Sequence, residues 1–376
     1  MTPILNDYDI IGIPVRFGMV LLFGSGLLML FMANISPKLL ISVVFLILII
    51  FLSQLAVVGA STHMISRLML VLLSVFIVFV LPQFLNYDDL RFSMMIVLLC
   101  AAGFLMFQIF LFRYYGTYPS LVLDNAIFYS HTDVRVNITA FSSGQSVLRP
   151  SSFFNESSRF GLFLGFFFHF CILGINGKRR LIFAYSLGIL VAVLSTSGTA
   201  IALIVASLFF KVKSLSGMVS KSVIAIAGCL LLAYFFTSSL GYGFERFLMS
   251  GSRVFNGLDA FSNLDYMQHM FGVGLGHGQF IMAQSEFPFT SGFALALLEL
   301  GLVGTAFLLF FIVGFIYRLK SLIARQFVYL WLACLIFEQV LFGFWFVLPM
   351  LLAVVIERKN YVRNKVINFD PNERQV

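Results

Sequence analysis

Two stretches of this chain hold residues able to do chemistry. Arg149-Pro150-Ser151-Ser152-Phe153-Phe154-Asn155-Glu156-Ser157-Ser158 sets an arginine and a glutamate within eight positions, and Arg159 follows. The second stretch runs from Glu245-Arg246 through Ser252-Arg253, Asp259, Asp265 and His269 to Phe271-Gly272-Val273-Gly274-Leu275-Gly276-His277-Gly278. A guanidinium grips a phosphate through two parallel N–H bonds and stays charged at any working pH. A carboxylate or imidazole within reach of a hydroxyl serves as a general base. The residue types therefore suit an anionic ligand, with Arg149, Arg246 and Arg253 as cations and Glu156, His269 or His277 as base. Arg159 falls in a first helical turn, where the dipole disfavours a cation. It either joins that anion or snorkels to a membrane surface.

Structural readings stand beside these. Asn155 suits an N-cap and Glu156 a first-turn acid that complements the helix dipole. Gly272, Gly274 and Gly276 do not follow the dinucleotide spacing; they serve a tight turn or let backbone amides approach phosphate or sugar oxygens. His269, His277 and Asp265 follow no metal-ligand spacing, and no metal or cofactor is expected. Glu299 lies eight residues into the next apolar run. An ionisable group at that depth marks function or a buried pair, and His169 and Glu338 share the remark with less force. Asp7-Tyr8-Asp9 and Asp88-Asp89 read as solvated loop charges.

The elements that must position these residues are apolar. Of 376 residues, 60% are hydrophobic and 11% charged, 47 are Phe, and the mean hydropathy is +1.01. A soluble chain carries about a quarter charged residues. Runs of about 17–25 apolar residues span a bilayer core as helices, and no alternating pattern suggests a barrel. The expected class is an all-α polytopic membrane protein, one integral domain over 1–376. Expected spans are 17–33, 39–58, 65–83, 92–112, 158–175, 181–194, 199–210, 222–240, 291–317 and a hairpin over 327–356. That makes about ten to twelve transmembrane helices, the first acting as an uncleaved insertion signal.

The formal charge of +8 does not point to nucleic acid. Lys178-Arg179-Arg180, Lys211, Lys213, Lys221, Arg318, Lys320, Arg325 and the tail cations Arg358, Lys359, Arg363 and Lys365 sit in short connections and the tail, where positive charge orients membrane proteins toward the cytoplasm. A cytoplasmic tail at 357–376 then puts two large loops, 113–157 and 241–290, on the opposite, periplasmic face. Both candidate stretches lie in those loops. The four cysteines all fall in apolar runs and read as small buried hydrophobes.

Four motifs in order resemble Wzy-type O-antigen polymerases. Arg149-Pro150-Ser151-Ser152-Phe153-Phe154-Asn155-Glu156-Ser157 is similar to their "R-x-S-G-F-F-x-E-P-S" segment, and Leu194-Ser195-Thr196-Ser197-Gly198-Thr199 to their "L-S-x-S-R-T" turn. Ser252-Arg253 with Phe271-Gly272-Val273-Gly274 resembles "G-R … F-G-x-G", and Leu298-Glu299-Leu300-Gly301-Leu302-Val303-Gly304 resembles "L-x-E-x-G-x-x-G". The chain departs from the pattern at Ser152 for Gly, Ser157 for Pro and Gly198 for Arg.

The resemblance implies a multi-pass inner-membrane enzyme that joins undecaprenyl-diphosphate-linked oligosaccharide repeats at the periplasmic face. It implies membrane lipid, a chain-length regulator and a flippase as partners, and no nucleic acid. It further implies catalytic roles for Arg149, Glu156, Arg253, His269 and His277. Substrate contacts are expected at Arg159, Arg246, Gly272, Gly274, Gly276 and Glu299. The related ligases, which carry glycan to lipid A core, usually place His-Asn before the "E-x-G" helix. Thr290 and Ser291 stand there instead. A flippase, the alternative from another class, would place charges inside many helices, whereas here they concentrate in two loops.

Overall fold

The computed structural model describes residues 8–10, 13–16, 71, 74, 77–116, 128–130, 138–140, 146–148, 151–154, 157–175, 177–195, 197–211, 255–283, 290–338 and 344–369. These residues are mostly helical. The helices are α1 (Tyr87–Tyr115), α2 (Ser157–Ile172), α3 (Lys178–Leu194), α4 (Gly198–Lys211), α5 (255–262), α6 (Tyr266–Phe271), α7 (Gly278–Ala283), α8 (Gly292–Arg318), α9 (Leu322–Phe337) and α10 (Phe344–Phe369). Five short strands were not expected. β1 (Tyr8–Ile10) pairs antiparallel with both β2 (Ile13–Arg16) and β3 (Phe128–Ser130), and β4 (Ile138–Ala140) pairs antiparallel with β5 (Ser146–Leu148). Two helices, α1 and α8, are long and apolar enough to cross a membrane. The expected spans at 17–33, 39–58 and 222–240 lie outside the described residues.

The chain divides into two compact units. Residues 1–21 and 88–249 form the first. At its centre α2 is apolar on every side and buried on every side, with Phe160, Phe163, Phe166 and Phe170 wholly enclosed. Gly161 and Gly165, four residues apart, face α4. A Cβ on Gly161 would overlap Ser197 Oγ, and one on Gly165 would come within 2.5 Å of Leu203 Cβ. The missing side chains let the two backbones approach closely. Outer faces are apolar too: α1 exposes Phe92, Leu99 and Phe110, and α3 exposes Ile182, Phe183 and Leu190.

One end of this unit collects cations. Lys211 Nζ donates to the Ile172 and Leu173 carbonyls, both at 3.3 Å, which α2 leaves unpaired at its C-terminus. The Arg91 guanidinium packs over Gly174, and Lys178-Arg179-Arg180 open α3 just beyond.

Residues 22–87 and 250–376 form the second unit. Here α9 and α10 pack on each other and α8 packs on α9, around Trp331, Phe327, Phe346 and Leu352. The expected hairpin therefore holds two helices, but α9 begins at Leu322 and α10 continues to Phe369, well into the expected tail. Gly292 N donates to Glu338 O at 2.9 Å, so α8 begins where α9 ends. At the other end Arg318, Lys320, Arg325 and Arg358 gather, and Glu357 accepts from the Lys320 and Ser321 amides at 3.0 and 2.8 Å. Within each unit, then, cations cluster at one end.

The α2–α4 contact makes a one-methyl test. Gly165→Ala should destabilise the purified protein by about 1–3 kcal/mol through overpacking. Gly103→Ala, on α1 with nothing within 4 Å of a new Cβ, should be neutral or slightly stabilising through helix propensity. Thermal unfolding in detergent compares the two.

Candidate functional site

In the first unit the motif segment is anchored to α1. Ser151–Phe154 forms a turn closed by Phe154 N donating to Ser151 O at 3.0 Å. Ser152 occupies the left-handed region at φ 55°, where a side chain costs about 1–3 kcal/mol. Three hydrogen bonds offset that cost. Ser152 N donates to Gln108 Oε1 at 2.8 Å, Gln108 Nε2 donates to Ser152 O at 3.0 Å, and the Ser152 hydroxyl donates to Ala101 O at 2.6 Å. The buried Gln108 amide thus satisfies both backbone groups of one turn residue. Phe153 stacks on Phe104 of α1 at 4.8 Å, and Phe154 packs against Phe163 of α2 at 5.1 Å.

These contacts fix the turn at the N-terminal end of α2, opposite the end held by Arg91 and Lys211. Arg159 is half-buried in the first turn of α2. Arg149, Asn155 and Glu156 lie outside the described residues. Gln108 escaped the sequence reading; a lone amide inside a 29-residue apolar helix was the available signal.

In the second unit the glycine-rich loop is built against a break in α8. Gly301 has φ 66° and ψ −173°, so the helical hydrogen-bond ladder is interrupted there. Val273 N fills part of the gap by donating to Leu298 O at 2.8 Å. Gly272 and Gly301 meet backbone to backbone. A Cβ on Gly272 would overlap the Glu299 carbonyl, and one on Gly301 would overlap Gly272 N and Met270 O. Both residues also have positive φ, as do Gly274 and Gly276. Glu299, 1% exposed, sits one turn above the break. Gly278, first residue of α7, leaves room for it: a Cβ there would stand 2.8 Å from Glu299 Cγ.

The loop spends much of its own polarity internally. Gly272 N donates to Gln268 O at 2.7 Å and His277 N to Gly274 O at 3.0 Å. With Val273 committed as well, three amides that could face an anion are used in the turn. The stretch expected as an open loop carries three short helices instead. Asp265 caps α6, accepting from Gln268 N at 2.8 Å, which employs the carboxylate once weighed as a metal ligand.

His269 projects from α6 with its ring edge-on to Phe261 at 4.8 Å and Nδ1 2.8 Å from the Asp265 carbonyl. A carbonyl only accepts, so Nδ1 carries the proton and Nε2 is the basic nitrogen. His277 is half-buried and immediately precedes α7. Ser291 caps α8, accepting from Ala294 N at 3.2 Å, and Thr290 nests against Gly257 of α5. The structure thus brings Gly272, Gly274, Gly276, His277 and Glu299 into one neighbourhood at the end of this unit away from Arg318 and Arg358. Arg246 and Arg253 lie outside the described residues.

No family model, curated protein or solved structure matches the chain.

Two substitutions test the anchors. Gln108→Leu strands the Ser152 N–H and C=O in an apolar setting at about 1–3 kcal/mol each. It should lower the melting temperature clearly, while Ser152→Gly, which trades one hydroxyl bond for relief of strain, should stay near the parent. Gly301→Ala should detach the 263–283 loop, seen as new protease cleavage there under conditions where the parent is resistant.

Proposed function

We propose that this chain is a polytopic inner-membrane glycosyltransferase that joins oligosaccharide repeats carried on undecaprenyl diphosphate at the periplasmic face. The ordered motifs over residues 149–304 suggest the family. The observation that carries the reading is the separation within each unit of a basic end from the end that holds the motif residues. Short cation-rich ends face the cytoplasm in membrane proteins, which turns both motif regions outward. The apolar outer faces of α1, α3 and α8 suit hydrocarbon, and an exposed patch of that extent would be unusual on a soluble monomer.

The reaction follows from the donor. An acceptor sugar hydroxyl attacks the anomeric carbon of the lipid-linked glycan. The new carbon–oxygen bond forms as the bond to diphosphate breaks, and undecaprenyl diphosphate departs with the electron pair. The hydroxyl proton passes to a base, Glu156 or the Nε2 of His269, with His277 the other candidate. The donor is already activated by its diphosphate, so the step as written calls for no further cofactor. The main requirement is fixed positive charge where the leaving group gathers electrons. Arg149 and Arg253 fill that role, with Arg246 and Arg159 toward the same phosphates. Glu299, held under the glycine loop, orients that loop toward the substrate.

Replacing Arg149 with Lys keeps the charge and loses the planar fork. Activity should fall by about two to three orders of magnitude, as for other losses of a fixed donor to a developing anion. Surface glycan on a gel should collapse toward single repeats. Chains of normal length in both Arg149→Lys and Arg253→Lys would defeat the proposal. So would labelling of a single cysteine at position 149 from the cytoplasm alone.

A further inference from the structure

We propose that the basic end of the second unit binds an anionic two-chain phospholipid, one acyl chain lying in a cleft between α8, α10 and the segment at 77–83. The proposal rests on the membrane reading above and goes beyond it, since nothing in the glycosyl transfer requires such a site. The cleft encloses roughly 280 Å³ and its lining, which includes Val78, Phe79, Ile312, Phe315, Phe346 and Met350, is wholly apolar. Phe79 meets Phe315 edge-on at 6.1 Å. Around its mouth α8 exposes Leu309, Phe310 and Val313, then Tyr317. An amphipathic ring followed by cations marks the level where hydrocarbon gives way to headgroups.

All three walls lead to positive charge. On α8, Arg318 follows Phe315 by three residues, about 4.5 Å of helical rise; on α10, Arg358 follows Met350 by eight, about 12 Å. A phospholipid passes from hydrocarbon to outer headgroup over about 5–8 Å per leaflet, so the cations sit at phosphate depth. Arg358 Nη1 donates to Pro82 O at 2.8 Å, which holds its guanidinium at the top of the segment that supplies Val78 and Phe79. Lys359 Nζ lies 3.7 Å from the Tyr87 ring centroid, and Arg325 Nε donates to Leu319 O at 2.7 Å. Arg318 and Lys320 are exposed.

The opposing acids are already employed. Glu357 gives both oxygens to amides that open α9, and Asp88 and Asp89, next in the chain after Tyr87, occupy the first turn of α1 where the dipole favours them. An apolar slot ending in five cations selects an anionic lipid over a zwitterionic one.

The test uses the full-length protein purified in detergent, offered phosphatidylglycerol or phosphatidylcholine with the same acyl chains and read by native mass spectrometry. Phosphatidylglycerol should be retained at least about fivefold better, the effect of roughly one surface cation. Arg318→Gln with Lys320→Gln should erase that preference while leaving thermal stability in phosphatidylcholine unchanged. Ile312→Phe, which fills the cleft, should weaken retention of both lipids. Glycerol 3-phosphate should not compete. Equal retention of the two lipids, full preference in the double variant, or competition by glycerol 3-phosphate would each overturn the site. Because the readout is lipid retention, failure here leaves the polymerase reading intact, and normal glycan length in Arg149→Lys would leave the lipid site standing.

Discussion

The contact between Gly272 and Gly301 is the constraint on which the second unit turns. An apolar helix of 27 residues would ordinarily run unbroken, because its interior amides have no better partners than their own carbonyls. Here the break at Gly301 is tolerated because another backbone supplies a donor, Val273 N, to the carbonyl of Leu298. That exchange requires two chains to approach without Cβ atoms. The helix break, the positive φ at both glycines and the placement of Glu299 are therefore one arrangement, and none of its parts is stable without the others.

The first unit solves the same problem with a side chain. Ser152 breaks regular structure at the mouth of α2, and its backbone groups would be unpaired in an apolar environment. Gln108 supplies an acceptor and a donor together, which copies the pairing a neighbouring strand would offer. In both units a polar irregularity is held by a partner inside an apolar helix, at the end away from the cations. Irregular backbone at such depth persists only where protein or a lined cavity satisfies it.

Periodicity and composition located the helices well where apolar runs were bounded by polar residues. The run 158–175 corresponds to α2 at Ser157–Ile172, and 199–210 to α4 at Gly198–Lys211. The expectation for 92–112 fell short, because Tyr87-Asp88-Asp89 looks like loop yet suits a helix start, where first-turn acids are favoured. The break at Gly301 was hidden for a different reason: its cause, Gly272, is remote in sequence. Short helices at 255–283 escaped notice because each is shorter than the window in which a period can be read. Ser152 shows the converse. It stands where the resembling family has Gly, and its positive φ gives that departure a physical meaning: the turn geometry is kept and the strain is met by Gln108.

The commitment of the loop's own amides bears on how a diphosphate would be held. A glycine-rich loop can grip phosphate when its amides point outward together. With the Gly272, Val273 and His277 amides directed inward, less of the charge developing on a leaving diphosphate can fall to backbone dipoles. On the proposed reaction it falls to guanidinium groups, which carry a full charge and two aligned donors each. The division of labour is then physical: rigid glycine packing fixes the floor of the site, and long flexible arginines reach the substrate. A bulky lipid-linked glycan that must enter, react and leave is better served by mobile cations over a rigid floor than by a closed backbone cradle.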